Sequence, residues 1–307
     1  MIESTSAIAS EPSTFSPAKS TLSHPNSLQP SPVPTSLSQP TSESSRASNP
    51  LNSGYDPAFF AKLNILEESH FWFRARRRAV GTLLGQLTAQ FPDGYKVLEL
   101  GCGNGGMLKL LKQSCPGGHV FGMDLFSEGL KYAALRSDCP LVQGDVLQPP
   151  FSQELHLVGM FDVLEHIQQD AQVLKSIYNM LVPGGAVCIT VPAHMSLWSY
   201  FDTAAHHARR YTFEQLRQRM LEAGFEVEYQ TEFMSWIFPF VWLGRRINRY
   251  RSQLDSSNAT ELTETDFRVI PGINRLLDWV LSGEAELIRN RRRITTGVSL
   301  LAVGRKK

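Results

Sequence analysis

The stretch KVLELGCGNGG, Lys96 to Gly106, decides how this chain folds. Residues 96–100 are a short apolar run bounded by glycine, the pattern of a strand buried on both faces. Gly101, Gly103 and Gly105 follow, and the residues 105–114, GGMLKLLKQS, carry helical apolar spacing. A strand that turns through glycines straight into a helix lets backbone approach a ligand with no Cβ in the way. It also aims the free N–H groups of the helix start at that ligand.

Outward from this unit the order alternates. Strands are expected at HVFGMDL (119–125), LVQGD (141–145), LHLVGMF (155–161), AVCITVP (186–192), FEVEYQTE (225–232) and VSLLAVGR (298–305). Helices are expected at 127–137, 169–181 and 212–224, and residues 55–90 read as a helical stretch ahead of the first strand. Such alternation means an α/β, Rossmann-like, doubly wound sheet with helices on both faces. Residues 233–297 interrupt the rhythm between the last two strands and read as a cap insertion. Residues 1–53 hold 16 Ser, 8 Pro and five charged residues, and read as a disordered tail. The folded part is then 54–307, with 54–93 as a helical cover.

Three carboxylates fall on one rim of the expected sheet. Glu99 stands two residues before Gly101, where an ammonium can pair with it. Asp124 ends the second strand, where a carboxylate can accept both hydroxyls of a ribose. Asp145 ends the third, where it can meet an adenine amine; capping of the segment that follows is its structural alternative. Gly101, Gly103 and Gly106 also satisfy GxGxxG, so a nicotinamide oxidoreductase stands as an alternative, as does a cofactor-binding module without activity. An acidic rim suits a cationic nucleoside and repels a pyrophosphate.

With these motifs the chain resembles the class I S-adenosylmethionine-dependent methyltransferases, over roughly 95–231 and 298–305. VLELGCGNG is similar to that family's first motif, VFGMDL to its ribose motif, VQGDV to its adenine motif and LVPGG to the turn before its fifth strand. FDVLEHIQQD and VPAHMSLWSYFDTAAHHARRYT resemble the small-molecule, bacterial-type enzymes of the type 11 or 12 kind. The resemblance implies a seven-stranded sheet with an antiparallel last strand and S-adenosyl-L-methionine as cofactor. The cofactor residues it implies are Glu99, Gly101, Cys102, Gly103, Asn104, Asp124, Leu125, Asp145, Val146 and Phe161, the last near the sulfonium. Cys102 reads as a small packing residue, since nothing near it in sequence would activate a thiol.

Methyl transfer from a sulfonium is an in-line displacement, and a base is needed only where the acceptor carries a proton that must leave. His166 and His207 are the candidates for that base or for acceptor contacts. His194, His206, Arg210 and Tyr211 follow the fifth strand, where an acceptor would lie, and Trp72 with Arg74 can close over the cofactor from the cover. Core packing, pocket walls and a solvated loop are the structural alternatives for these groups. No carboxylate stands at a recognised ligand spacing from His194, His206 and His207, so no metal site is expected.

The run FMSWIFPFVWLGRRINRYR (233–251) is apolar and then basic, and Pro239 is expected to break a helix there. The run suits a lid over an apolar acceptor, a buried helix or a peripheral contact with a membrane surface. The expected acceptor is a small or lipid-like molecule, methylated at oxygen or carbon. The 30 Lys+Arg balance 29 Asp+Glu, which argues against a nucleic-acid-coating protein. Four cysteines without a CxxC, and a start with no apolar leader, point to a cytoplasmic, reduced protein.

Overall fold

The computed structural model describes residues 57–252 and 271–307. The expected tail (1–53) and residues 253–270 of the cap lie outside the described residues. Seven strands form one sheet: β1 Lys96–Leu100, β2 His119–Asp124, β3 Leu141–Gln143, β4 Leu155–Phe161, β5 Leu181–Pro192, β6 Glu226–Phe233 and β7 Ser299–Arg305. Their order is β3-β2-β1-β4-β5-β7-β6. The pairs from β3 to β5 are parallel, and β7 slots antiparallel between β5 and β6.

The apolar runs are continuous because both faces of the sheet are covered. Val97, Leu157, Cys188 and Val303 face one cluster, while Leu98, Val158, Ile189 and Ala302 face the other. Helix α2 (Phe71–Thr88) lies on the first face with Val80, Leu83, Leu84 and Leu87, beside α3 (Leu108–Ser114). On the second face, α5 (Asp170–Met180) contributes Val173, Leu174 and Ile177, and α7 (Phe213–Ala223) contributes Leu216 and Met220. Between them in sequence stand α4 (Ser127–Arg136) and the short α6 (Tyr200–Ala204). The chain passes from β1 through β2 and β3 on one side and returns to β4 on the other. The crevice between the carboxyl ends of β1 and β4 is thus the switch point where open α/β sheets take ligands.

The helical stretch before β1 is two helices, α1 (Pro57–Ser69) and α2. The break is at His70, whose extended backbone (ψ 133°) makes it the N-cap of α2. Its ring Nδ1 accepts a hydrogen bond from the Trp72 amide at 3.2 Å. The apolar period runs through a single helix turn here and hides the cap, because histidine is not among the usual capping residues.

The cap supplies α8 (Phe238–Ser252) and α9 (Pro271–Arg289). Pro239 starts α8 and does not break it; in the first turn the missing N–H has no partner to lose. Helix α9 runs along α2. Asp278 receives Arg78 and, at 2.8 Å, Arg74. Asn274 accepts from the Phe71 amide and donates to the Ser69 carbonyl, both at 2.8 Å. The buried Glu284 carboxylate gathers the turn out of β6, accepting from the amides of Met234 (2.5 Å), Ser235 (2.7 Å) and Trp236 (3.2 Å) and from the Ser235 hydroxyl (2.6 Å). Cover and cap therefore form one roof over the switch point.

Two outcomes follow. Glu284→Ala leaves three amides without their acceptor and is expected to cost about 3 kcal/mol in urea unfolding, against a smaller loss for Glu284→Gln, which keeps one acceptor oxygen. His70 is the second. Burial lowers its pKa from 6.5 to about 4, and a protonated ring cannot accept from the Trp72 amide. The folded ring binds its proton less readily than the unfolded one, so its contribution is whole above pH 6.5 and is lost as pH falls toward 4. Thermal stability is expected to fall across that window, less steeply in His70→Asn, which keeps a neutral cap. Parallel profiles for the two proteins would contradict the assignment.

Candidate active site

At the end of β1 the chain turns at Gly101 with φ +72°. A Cβ there would meet Val163 at 2.5 Å, so only glycine lets the β1 and β4 loops approach. Gly103, at φ +48°, has nothing within 4 Å of where its Cβ would stand; the loop surface is open. Helix α3 begins at Leu108, three residues later than the sequence pattern suggests, because these glycine turns occupy its start.

Beyond the loop lies a cavity of about 640 Å³. Glu99, Gly101, Cys102, Gly103, Asn104 and Phe161 all line it. Glu99 is 3% exposed and its Oε2 has no hydrogen-bond partner. Burial pushes its carboxyl well above the usual range, with the Arg76 guanidinium pulling the other way. A buried carboxylate oxygen without a donor, beside an open glycine loop, is a receptor for an ammonium. Cys102 is buried and its thiol is pushed up by burial and by Glu99, which fits a packing role.

Asp124 sits behind the loop and is not among the cavity-lining groups. Its Oδ2 accepts from the Gly103 amide at 2.7 Å and its Oδ1 from the Phe126 amide at 2.9 Å. It fixes the loop, and burial raises its pKa against those bonds. Helix α1 is strapped over this edge: Phe60 packs on Phe126, its carbonyl accepts from Asn104, and Arg136 binds Glu67. Leu125 is half-exposed, and Asp145 and Val146 stay outside the cavity. The Asp145 carboxylate is turned back on its own segment, accepting from the Leu147 amide at 2.8 Å, which is the capping alternative.

After β4, Asp162 takes φ +55° and holds Arg76 at 2.5 Å and Thr190 at 2.8 Å. Arg76 was not singled out by sequence reasoning, yet a signal existed: it falls on the apolar stripe of α2, with Phe73, Val80 and Leu83, where a charge must have a buried partner. The 3-10 turn Leu164–His166 then presents Glu165 and His166 to the cavity. His207 faces them, its ring 4.7 Å from that of His166. His207 Nδ1 is 2.8 Å from Asp202, which also receives Arg210 Nε at 2.7 Å. Burial opposes ionisation of Asp202, but the bonds from His207 and Arg210 hold its pKa down at about 2. Burial lowers His166 to about 4, with His207 adding to the effect. Glu165 is 1% exposed, burial pushes its carboxyl well up, and its Oε2 has no partner.

Of the acceptor residues expected from sequence, the structure brings Trp72, His166, His207 and Arg210 to the cavity and leaves out four. Arg74 is drawn off by Asp278. His194 is held by Glu232 at 2.8 Å. His206 is exposed on a left-handed turn at φ +55°. Tyr211 is buried and donates to Asp170 at 3.0 Å. Arg210 lies against the cavity wall, its charge met by Asp202 and its NH1 by the Ala193 carbonyl, so HHARRY is not a free anion receptor. The roof is apolar: Leu63, Phe71, Trp72, Ile237, Val241 and Leu277.

The profile of a methyltransferase-domain family matches residues 72–230, slightly more than half the chain. A probable S-adenosylmethionine-dependent methyltransferase of Mycolicibacterium smegmatis is 30% identical over 169 residues, covering 53% of this chain and 62% of that one. A ubiquinone biosynthesis O-methyltransferase of Psychrobacter arcticus is 26% identical over 155 residues, covering 43% and 59%. The chain thus spans about three fifths of the length of these relatives. Among solved structures, phosphoethanolamine N-methyltransferase 2 of Haemonchus contortus, in complex with S-adenosyl-L-methionine, shares the fold at a TM-score of 0.52 and 20% identity, over 83% of this chain and 58% of that one. The glycine turn, the orphaned Glu99 and the β7 insertion agree with this match, and the chain belongs to the class I S-adenosylmethionine-dependent methyltransferases.

Proposed function

We propose that the protein methylates a hydroxyl oxygen on a small acceptor with an apolar body, using S-adenosyl-L-methionine. One observation carries the reading: a single cavity joins an apolar roof, built by cover and cap, to a floor of Glu165, His166 and His207. The roof takes an aliphatic or aromatic body and the floor takes the polar atom. Its volume of about 640 Å³ suits a nucleoside and a small acceptor together. Relatives named as ubiquinone biosynthesis O-methyltransferases and as a 2-phytyl-1,4-naphtoquinone methyltransferase support an aromatic acceptor with a lipid tail.

The residues fit the cofactor. The orphaned Glu99 Oε2 would receive its ammonium, the Gly101–Asn104 loop its amino-acid part, and Phe161 the region of the sulfonium. Asp124, by fixing Gly103, would shape the ribose edge. The cofactor supplies an activated methyl group. The chain supplies position and dryness: the roof excludes water, and the acceptor oxygen is aimed along the line of displacement. The hydroxyl proton leaves, the oxygen lone pair forms the new O–C bond, and the electrons of the broken S–C bond remain on sulfur. His166 and His207 stand at the floor, where that proton is lost.

The outer face of the cap exposes Trp236, Leu243, Leu276 and Trp279, with Arg246 over Trp242. Among the described residues no helix is long and apolar enough to cross a membrane. An apolar face with arginine at its edge supports contact with a lipid surface from which a tailed acceptor would be taken. The test is transfer of labelled methyl to a panel presented free or in vesicles: alkylated catechols, their tail-less parents, and phosphoethanolamine. Alkylated catechols are expected to be methylated, faster from anionic vesicles. Labelling of the amine alone would overturn the reading.

A further inference from the structure

We infer that Glu165, His166 and His207 together hold a divalent first-row cation, such as Zn²⁺ or Mn²⁺, in the cavity floor. The inference deepens the reading of a hydroxyl acceptor and rests on it only for the cation's role, not for its binding.

Each of the three residues offers a ligand atom, and these atoms lie within 4.8 Å of one another. A cation bound at about 2.1 Å by three such ligands separates them by about 3.4 Å, so side-chain adjustments of the order of 1 Å close the set. The residues come from two segments, the turn after β4 and the loop after α6, which explains why sequence spacing did not show them.

The independent observation is Glu165 Oε2. It is buried and without a donor, on a side chain that lines the cavity. A hydrogen-bonded network would have given it one. The nearest imidazole contact is instead His207 Nε2 to Glu165 Oε1 at 4.0 Å. That is too far for a hydrogen bond and within about 0.6 Å of the separation expected of two ligands on one ion.

The surroundings fix the His207 imidazole in the sense a metal needs. His207 donates from Nδ1 to the fully buried Asp202, which leaves Nε2 with its lone pair toward Glu165. Asp202 is itself held by Arg210 and by the Ser199 amide at 2.9 Å. A carboxylate behind a ligating histidine is the usual outer arrangement of a metal site. Asp162 stays out of the set, its oxygens taken by Arg76 and Thr190.

Two imidazoles and one carboxylate favour borderline transition metals over Mg²⁺ or Ca²⁺, which prefer oxygen. Three protein ligands leave positions open to the cavity. An acceptor hydroxyl entering there would be made more acidic by the cation, its proton leaving with the water it displaces; its oxygen would then form the new O–C bond as the S–C bond breaks with its electrons on sulfur.

The experiment titrates Zn²⁺ and, separately, Mn²⁺ into the chelator-stripped full chain with no cofactor or acceptor present. Wild type and His206→Gln are expected to bind one cation per chain. His207→Gln and Glu165→Gln are expected to lose 10-fold to 100-fold in affinity while S-adenosylmethionine affinity stays within threefold, which also reports that they fold. No binding by wild type, or undiminished binding by both variants, would overturn the site. The two readings fail separately. Cation binding with no hydroxyl acceptor labelled sinks the acceptor class and leaves the site. Hydroxyl labelling by chelated, cation-free enzyme at the full rate sinks the cation's role and leaves the acceptor class.

Discussion

Buried carboxylates at the carboxyl ends of the parallel strands, more of them than the cations beside them, are the constraint on which the rest depends. Glu99, Asp162 and Glu165 converge on one cavity; Arg76 answers Asp162, and Arg210 is spent on Asp202. Two carboxylate oxygens, Glu99 Oε2 and Glu165 Oε2, remain without donors. Such buried groups cost the folded chain stability, and a donor or cation that completes them lowers that cost. On the proposals above, the ammonium of the cofactor would complete the first and a divalent ion the second.

That demand shapes the roof. The acidic floor holds a cationic ligand more strongly where water is excluded, and exclusion needs a cover larger than the sheet itself provides. Two pieces far apart in sequence do this together. Helix α2 carries Arg76 down to Asp162, and α9 locks onto α2 through Asp278 and Asn274. Arg76 thus ties the roof to the strand ends, and its charge acts on both Glu99 and Glu165. The same cap turns an apolar inner face to the cavity and leaves tryptophans on its outer face, so one insertion shapes the acceptor pocket and offers a lipid-compatible surface.

The strands and the glycine loop were legible because local rules decide them: apolar runs of five to seven residues, a glycine turn, a helix on each side. Glu99 was legible for the same reason, since its place two residues before Gly101 follows from the strand alone. The failures share one cause. Arg74, His194 and Tyr211 looked free in sequence and are captured by Asp278, Glu232 and Asp170, partners 204, 38 and 41 positions away. Glu165, which carries no signal in the sequence pattern, and His207 are brought together across the cavity, 42 positions apart. Asp145 differs in the other direction: one of its carboxylate oxygens, Oδ1, takes a partner two residues on, a local bond. Periodicity sees elements; it does not see which side chain a tertiary contact will take.

The claim that Glu99 awaits a cation is tested most directly by calorimetric titration of S-adenosylmethionine and of 5′-methylthioadenosine, which lacks the amino-acid part, into wild type and Glu99→Gln. The account predicts a 10-fold to 100-fold loss for S-adenosylmethionine, about 1.4 to 2.7 kcal/mol, and little change for methylthioadenosine. Equal affinity of both proteins for S-adenosylmethionine would contradict it.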